Sequence, residues 1–495
     1  MQRIEIEQIL SRLKRDNPWW ETGEIQKFNR DYGPPRVYLA GFLKLLQADV
    51  RRAVVLMGPR RVGKTVMLHH AIQRLLDQGV DRKTILYVPI DIPTYLGLSL
   101  ERLLEIHREQ FGLDPDARVY VIFDEIQYLK DWERHLKGLV DTYPYARFVV
   151  SGSAAAALRM KSIESGAGRF THYLLPPLTF HEFADRRIGV NASDEKAIEI
   201  SVNDGPARRT TIEKCNEAFV DYINFGGFPE AIANKIVQGE FEQFVASDIL
   251  DKVLLNDIPS LYGVNDTHDL KRLFAVLAYN TGQEMSFEDL SRDSGISKNT
   301  IKKYIEYLES AFLIHRLSRL DQAARRFKRE THFKVYLTNP CLRAALFGPV
   351  TSNEKVIGAM AETALMSQWV QRDFIKSKFY GRWKTGEIDF VSLHPGTTKP
   401  ETIIEVKWSD RAHHDIRGEL STLIQFAKKH SLKSVVVTTK TILKNVNHDG
   451  LMIGFVPTAI LALVEGSEIE KMINSGESPR RWIEALMEKT TPSAD

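Results

Sequence analysis

Ala53-Val-Val-Leu-Met57, running into Gly58-Pro59-Arg60-Arg61-Val62-Gly63-Lys64-Thr65-Val66, decides the fold. A short apolar run stops at Gly58, and Gly58 to Thr65 then fits the pattern G-x-x-x-x-G-K-[ST] at every fixed position. A loop of this kind turns backbone N–H groups inward around a polyphosphate, and its glycines let the main chain come close. A helix expected from about Val66 points its positive end at the same anion. Lys64 supplies charge for the β- and γ-phosphates, and Thr65 a hydroxyl for Mg²⁺. Gly58 to Val66 are therefore the expected nucleotide-binding residues, with ATP and Mg²⁺ as the cofactors.

The chain has 495 residues, a net charge of +3, 43% hydrophobic and 26% charged residues. That is the composition of a globular protein of about three domains. The mild positive balance permits a nucleic-acid partner without demanding one. Two cysteines, Cys215 and Cys341, provide neither a disulfide framework nor a zinc site. No apolar run reaches the length of a membrane span, and the N-terminus lacks a signal-peptide apolar region. These features suit the cytoplasm.

Ahead of the loop, Ile6, Ile9, Leu10 and Leu13 recur at helical spacing, and Asn17-Pro18-Trp19-Trp20 ends that helix. The two tryptophans are read as packing rather than a docking surface. Beyond the loop, Thr84–Ile90 is β-rich, and Ser99–Phe111 is a helix. Val119-Tyr-Val-Ile-Phe123 runs into Asp124-Glu125. Such a strand tip is what a phosphate loop needs: Asp124 to hold Mg²⁺ through water, Glu125 to polarise the water that attacks the γ-phosphate. The next strand ends in Ser151-Gly152-Ser153, where Ser153 either senses the γ-phosphate or caps the following helix. Alternating strands and helices give a parallel α/β sheet with nucleotide at the strands' C-terminal ends.

GPRRVGKT, VIFDE, VVSGSA, GRFTHYLLPPLTFHEFA and FGGFPEA, in that order, resemble the AAA-superfamily ATPases of a large bacterial and archaeal group. That group pairs the ATPase with a C-terminal domain of unknown function. The resemblance runs from about Trp19 to Ser409. It implies a helical lid after the ATPase core and makes Arg169 either an arginine finger or the partner of an acidic neighbour. A finger acting in trans implies a homo-oligomer, a hexameric ring being one such arrangement.

Farther along, Leu270–Tyr279 and Ser286–Ser291 read as helices, and Ser294-Gly295-Ile296-Ser297 as a turn. Lys298–Ser310 is a helix with Ile301, Ile305 and Leu308 on one face and Lys298, Asn299, Lys302 and Lys303 on the other. Two strand-like runs, Ala311–Leu317 and Phe333–Thr338, flank a basic stretch holding Arg325, Arg326 and Lys328. This is the pattern of a winged helix-turn-helix. Its basic residues suit branched or double-stranded DNA, while winged helices also serve as protein-binding modules.

The C-terminal third carries Asp389 on a strand and Glu405-Val-Lys407 on the next, with strand alternation placing Glu405 and Lys407 on one face. Two carboxylates can hold Mg²⁺, and the lysine can orient water or stabilise charge on a phosphodiester. This resembles the PD-(D/E)xK nuclease core, and the resemblance adds Glu362 on the preceding helix as a further metal ligand. Ile-Asp stands here where that pattern has Pro-Asp.

The expected organisation is an N-terminal helical segment at 1–35, a phosphate-loop core at 36–184, and a linker with helical lid at 185–265. A winged helix follows at 266–340, a nuclease-like α/β domain at 341–470 and a tail at 471–495. The functional expectation is a Mg²⁺-dependent AAA-type ATPase that remodels or processes DNA, with endonuclease activity at the C-terminal site. Its alternative is a slow nucleotide switch that binds a protein and carries a silent nuclease-like domain.

Overall fold

A computed structural model describes residues 6–95, 97–152, 168–188, 206–326, 331–369, 377–384, 386–394 and 396–475. The chain divides into two compact units, Met1–Pro176 and Pro177–Asp495.

The first unit is built on five parallel strands: β1 Ala53–Met57, β2 Ile85–Pro89, β3 Tyr120–Asp124, β4 Arg147–Gly152 and β5 Phe170–Leu174. Their order is β2-β3-β4-β1-β5. Every residue of β1, β3 and β4 is buried, as expected for strands covered by helices on both faces. Because β4 lies between β1 and β3, the tip of β4 stands between the phosphate loop and the Asp124 strand.

β2 is an edge strand, and the N-terminal segment closes that edge. Asn17 Nδ2 donates to the Tyr87 carbonyl at 2.8 Å, and Asn17 Oδ1 accepts from Tyr87 N–H at 2.7 Å. The side-chain amide thus pairs with the strand as a neighbouring strand would. Trp19 and Trp20 both donate their indole N–H to the Ile85 carbonyl, at 3.2 and 2.8 Å. Both tryptophans are buried, so they pack, as the sequence suggested, and they also blunt an edge.

The second unit carries one nine-stranded sheet. Its strands are β6 Glu284–Ser286, β7 Ile314–Leu320, β8 His332–Leu337, β9 Lys378–Trp383, β10 Gly386–Leu393, β11 Pro400–Glu405, β12 Ser434–Thr439, β13 Lys444–His448 and β14 Leu451–Pro457. They run β13-β14-β12-β11-β10-β9-β7-β8-β6. The expected modules at 266–340 and 341–470 therefore share a sheet: β7 pairs in parallel with β9, Arg319 opposite Tyr380 and Leu320 opposite Gly381. Sequence could not show this, because the pairing joins positions some sixty residues apart.

The first compact unit ends at Pro176, inside the stretch 36–184 expected for the phosphate-loop core. Helix Phe180–Ile188 belongs to the second unit, where it packs on helix Thr458–Ser475. Gly466 permits the close approach: a Cβ there would lie 2.6 Å from His181 Cβ. Helix Pro206–Phe225, at the position of the expected lid, buries Phe219, Tyr222 and Ile223 in the core of the second unit.

Candidate functional site

Gly58 opens the phosphate loop where no side chain fits. A Cβ on Gly58 would stand 2.0 Å from the Leu175 carbonyl oxygen. Gly63 has φ of +90° and is the N-cap of helix Lys64–Asp77, and Arg61 between them has φ of +62°. Left-handed backbone at successive turns curls the loop so that its amides can converge on an anion. Val62 is buried, and its carbonyl accepts from Arg36 Nη1 at 2.8 Å. Arg36 Nη2 reaches the Pro176 carbonyl at 3.0 Å, so this buried guanidinium braces the loop. Lys64 Nζ donates to the carbonyls of Gly58, at 3.0 Å, and Pro59, at 2.7 Å. Its ammonium therefore sits within the loop's curve. Val66 lies in the first turn of the helix, which begins two residues before the expected start.

Thr65 Oγ1 donates to Asp124 Oδ2 at 2.7 Å. That bond links the phosphate-loop helix to the tip of β3. Asp124 is nearly saturated: Tyr87 Oη donates to Oδ2 at 2.8 Å, and Ser151 Oγ donates to Oδ1. Glu125 has φ of +53°, an uncommon conformation for a residue with a Cβ. Its N–H donates to Asp124 Oδ1 at 3.1 Å and Ser151 Oγ at 3.2 Å, and its carboxylate accepts from Gln127 Nε2. Burial lifts the Glu125 carboxyl above its ordinary range; Lys64 opposes this and Asp124 adds to it. A raised carboxyl at this place is a stronger base than a free glutamate.

Thr65 and Asp124 fit the usual Mg²⁺ arrangement of few protein oxygens completed by substrate phosphates. Tyr87, Ser151, Gln127 and Arg36 were not singled out from sequence. Tyr87 lies on another strand and Arg36 far upstream; Gln127, two residues after Glu125, and Ser151, two residues before the Ser153 candidate, each had a neighbouring signal. Ser153 itself lies outside the described residues. Arg169 pairs with Asp141 through Nε at 2.6 Å. It precedes β5, whose first residue lies beside Ala53 and whose last lies beside Met57. Arg169 is thus at the opposite end of the sheet from the loop, roughly 17 Å away by strand rise.

In the second unit, β10 and β11 pair antiparallel with Phe390 opposite Ile404 and Val391 opposite Ile403. The same register sets Asp389 across from Glu405. Asp389 Oδ2 accepts from Val406 N–H at 2.9 Å, and Lys407 Nζ pairs with Glu405 Oε1 at 2.8 Å. Glu362 comes from helix Ile357–Gln368. Burial, then Asp389, pushes Glu405 up to about 7 against the pull of Lys407. The same two causes raise Glu362.

Lys334 of β8, unremarked in the sequence, stands among these acids. Its ammonium contacts Glu387 Oε1 at 2.8 Å, Glu362 Oε1 at 3.0 Å and Asp389 Oδ1 at 3.3 Å, and its side chain is 2% exposed. Burial lowers this amine, but Glu362, Tyr336 and Asp389 outweigh it and hold the group above its ordinary value. Tyr336, two residues on and on the same face, donates to Glu362 Oε1 at 2.5 Å. Among the described residues, no three His, Cys, Asp or Glu side chains are grouped so as to hold a metal ion. A divalent cation bridging Glu362 and Asp389 does not fit this arrangement, because both carboxylates already converge on Lys334.

The basic residues of the helix Lys298–Ser310 are partly engaged. Lys298 pairs with Glu288, and Lys302 lies over the Phe287 ring at 5.3 Å; Asn299, Lys302 and Lys303 are exposed. Between β7 and β8, Arg325 and Arg326 are exposed, with the Arg326 guanidinium 4.5 Å from the Phe379 ring centroid. Lys328 lies outside the described residues.

Residues 50–184 match the family model described as an AAA domain, and residues 216–353 match a domain of unknown function, DUF8612. An uncharacterized protein of Haemophilus influenzae is 25% identical over 360 residues, covering 72% of this chain and 82% of that protein. An uncharacterized protein of Methanocaldococcus jannaschii is 22% identical over 376 residues, covering 73% and 77%. Among solved structures, the ORC2 protein of Aeropyrum pernix, in ADPNP–ADP complexes, is 14% identical with a TM-score of 0.32, over 69% of this chain and 95% of that one. The replication initiator DnaA bound to AMPPCP and single-stranded DNA is 14% identical with a TM-score of 0.26, over 59% and 91%. No helix among the described residues is long and apolar enough to cross a membrane.

Proposed function

We propose that this chain is a Mg²⁺-dependent ATPase of the AAA type that acts on DNA. The observation that carries the ATPase is the Thr65–Asp124 hydrogen bond with Glu125 next in the chain. It joins the phosphate-loop hydroxyl to the carboxylate at the tip of β3, which supports reading Asp124 as the metal-holding group and Glu125 as the base. Gly58 to Val66 would hold the phosphates through backbone amides and the helix N-terminus, with Lys64 neutralising the β- and γ-phosphates. Thr65 and Asp124 would hold Mg²⁺, which would supply neutralisation of the charge that develops on the phosphate oxygens. Glu125 takes a proton from the attacking water. Ser151 and Gln127 fix that carboxylate's position, one through the backbone and one through the side chain.

The DNA part rests on the order of elements from Thr267 to Leu337: helix, short strand β6, two helices, then the β7–β8 hairpin. That order matches a winged helix-turn-helix. Asn299, Lys302 and Lys303 on its second-to-last element, with Arg325 and Arg326 on the hairpin, are the proposed phosphate contacts. Arg169 serves ATP hydrolysis only from a neighbouring copy, so a homo-oligomer is part of the proposal. Cleavage is left out of it, because the nuclease-like carboxylates surround a lysine.

The second reading is a nucleotide switch that binds a protein through the winged helix. It is favoured by Lys298 and Lys302, which already engage Glu288 and Phe287. Phosphate release measured with and without duplex or branched DNA separates the two. Stimulation by DNA supports the first, and a rate indifferent to every DNA supports the second.

A further inference from the structure

We infer that Lys334 is the built-in cation of the nuclease-like site, occupying the place a divalent metal would take and closing that site to metal. This inference is independent of the ATPase proposal. Lys334 lies on β8, in the hairpin of the winged segment, whereas Glu362, Glu387 and Asp389 come from the following helix and strand β10. An ammonium has three N–H donors, and all three carboxylates lie within ion-pair distance of this one. Glu362 and Asp389 accept hydrogen bonds from the amine at 3.0 and 3.3 Å, and Glu387 adds an ion pair at 2.8 Å, so the ammonium is held on three sides.

Four carboxylates around the site share three bases. Lys334 serves Glu362, Glu387 and Asp389; Arg382 also pairs with Glu387; and Lys407 pairs with Glu405. A dication entering between Glu362 and Asp389 would meet a cation already there, at short range and away from water, where like charges repel strongly. It would also leave a buried ammonium without partners, an expensive state. The lysine is tethered to the sheet by β8, paired to β7 at Leu317 and to β6 at Glu284. It therefore competes at an effective concentration that a free ion cannot match. The class of ligand excluded is a small divalent cation, and metal-dependent phosphodiester cleavage is excluded with it.

The test is Mn²⁺ binding to nucleotide-free full-length protein carrying Asp124→Asn, which removes the carboxylate at the tip of β3. Free Mn²⁺ is followed by its electron-paramagnetic-resonance signal, and stability by thermal unfolding. With Lys334 present, no saturable Mn²⁺ site is expected, and unfolding should be indifferent to Mn²⁺. Lys334→Met should gain one saturable site that Glu405→Gln abolishes. At a Mn²⁺ excess of about 100 times Kd its melting temperature should rise by roughly 4 °C. A saturable site in the Lys334 protein that Glu405→Gln removes would overturn the inference, and so would a folded Lys334→Met protein that gains none. Should Lys334→Met fail to fold, the Lys334 protein decides alone: indifference to Mn²⁺ supports the inference, and binding lost with Glu405→Gln overturns it.

Discussion

At Gly58 the loop leaves no room for a methyl group, since a Cβ would come within 2.0 Å of the Leu175 carbonyl oxygen. Gly58→Ala should therefore push β5 and the loop apart. The expected cost is about 1–3 kcal/mol of stability, together with loss of nucleotide binding; denaturant unfolding and fluorescent-nucleotide titration check both. Residues of this kind were legible in the sequence because the phosphate-loop spacing is set by the chain itself. Asp124 and Glu125 were legible for the same reason, as two acids ending an apolar strand. Ser151 and Tyr87 were not, although both hydrogen-bond Asp124. Their role depends on which strands are neighbours, and that order is a property of the sheet. Lys334 had one signal, a lysine inside Phe-Lys-Val-Tyr-Leu, whose residues are all buried. A charge in such a strand needs partners, but the sequence does not say which.

Among the elements, the N-terminal segment is coupled to the edge of the ATPase sheet. Asn17→Ala would leave the Tyr87 N–H and carbonyl unpaired in a buried place, a loss of about 2 kcal/mol. Unfolding of the variant followed by tryptophan fluorescence should show it, since Trp19 and Trp20 report on that edge. A pH effect belongs to the helix Leu100–Phe111, which meets this segment at Trp20. His107 is buried against Trp20, with ring centroids 5.3 Å apart and nearly parallel, and burial lowers its imidazole to about 4 from the ordinary 6.5. The unfolded chain takes up that proton near pH 6.5, while the folded chain resists until about pH 4. Stability from the neutral ring is thus complete above pH 6.5 and is lost as pH falls towards 4, up to about 3 kcal/mol. His107→Phe should flatten that part of the profile in denaturant unfolding measured between pH 7.5 and 4.5. An equally steep profile in the variant would assign the loss to other groups. Helices, strands and turns were largely legible from periodicity, and Ser99, Ser286 and Ser297 each accept from a backbone N–H of the helix they precede. The joining of β7 to β9 was not, because nothing local distinguishes an edge strand that ends a sheet from one that continues it.

For the whole molecule, the proposal links ATP turnover in the first unit to nucleic-acid contact in the second. If Arg325 and Arg326 touch phosphates, neutralising both should lower the slope of log affinity against log salt by about 2. The weakening should be similar for all duplex sequences, and fluorescence anisotropy over a salt series measures it. An unchanged slope would remove the hairpin from the DNA face. The most direct test of the central claim is ATP hydrolysis by Glu125→Gln beside the unaltered chain, with nucleotide affinity measured on the same preparations. Loss of a positioned base typically lowers turnover by about 10²–10⁴-fold, so hydrolysis should fall by that order while ATP binding persists. Glu125→Gln protein that binds and hydrolyses ATP as fast as the unaltered chain would contradict the account.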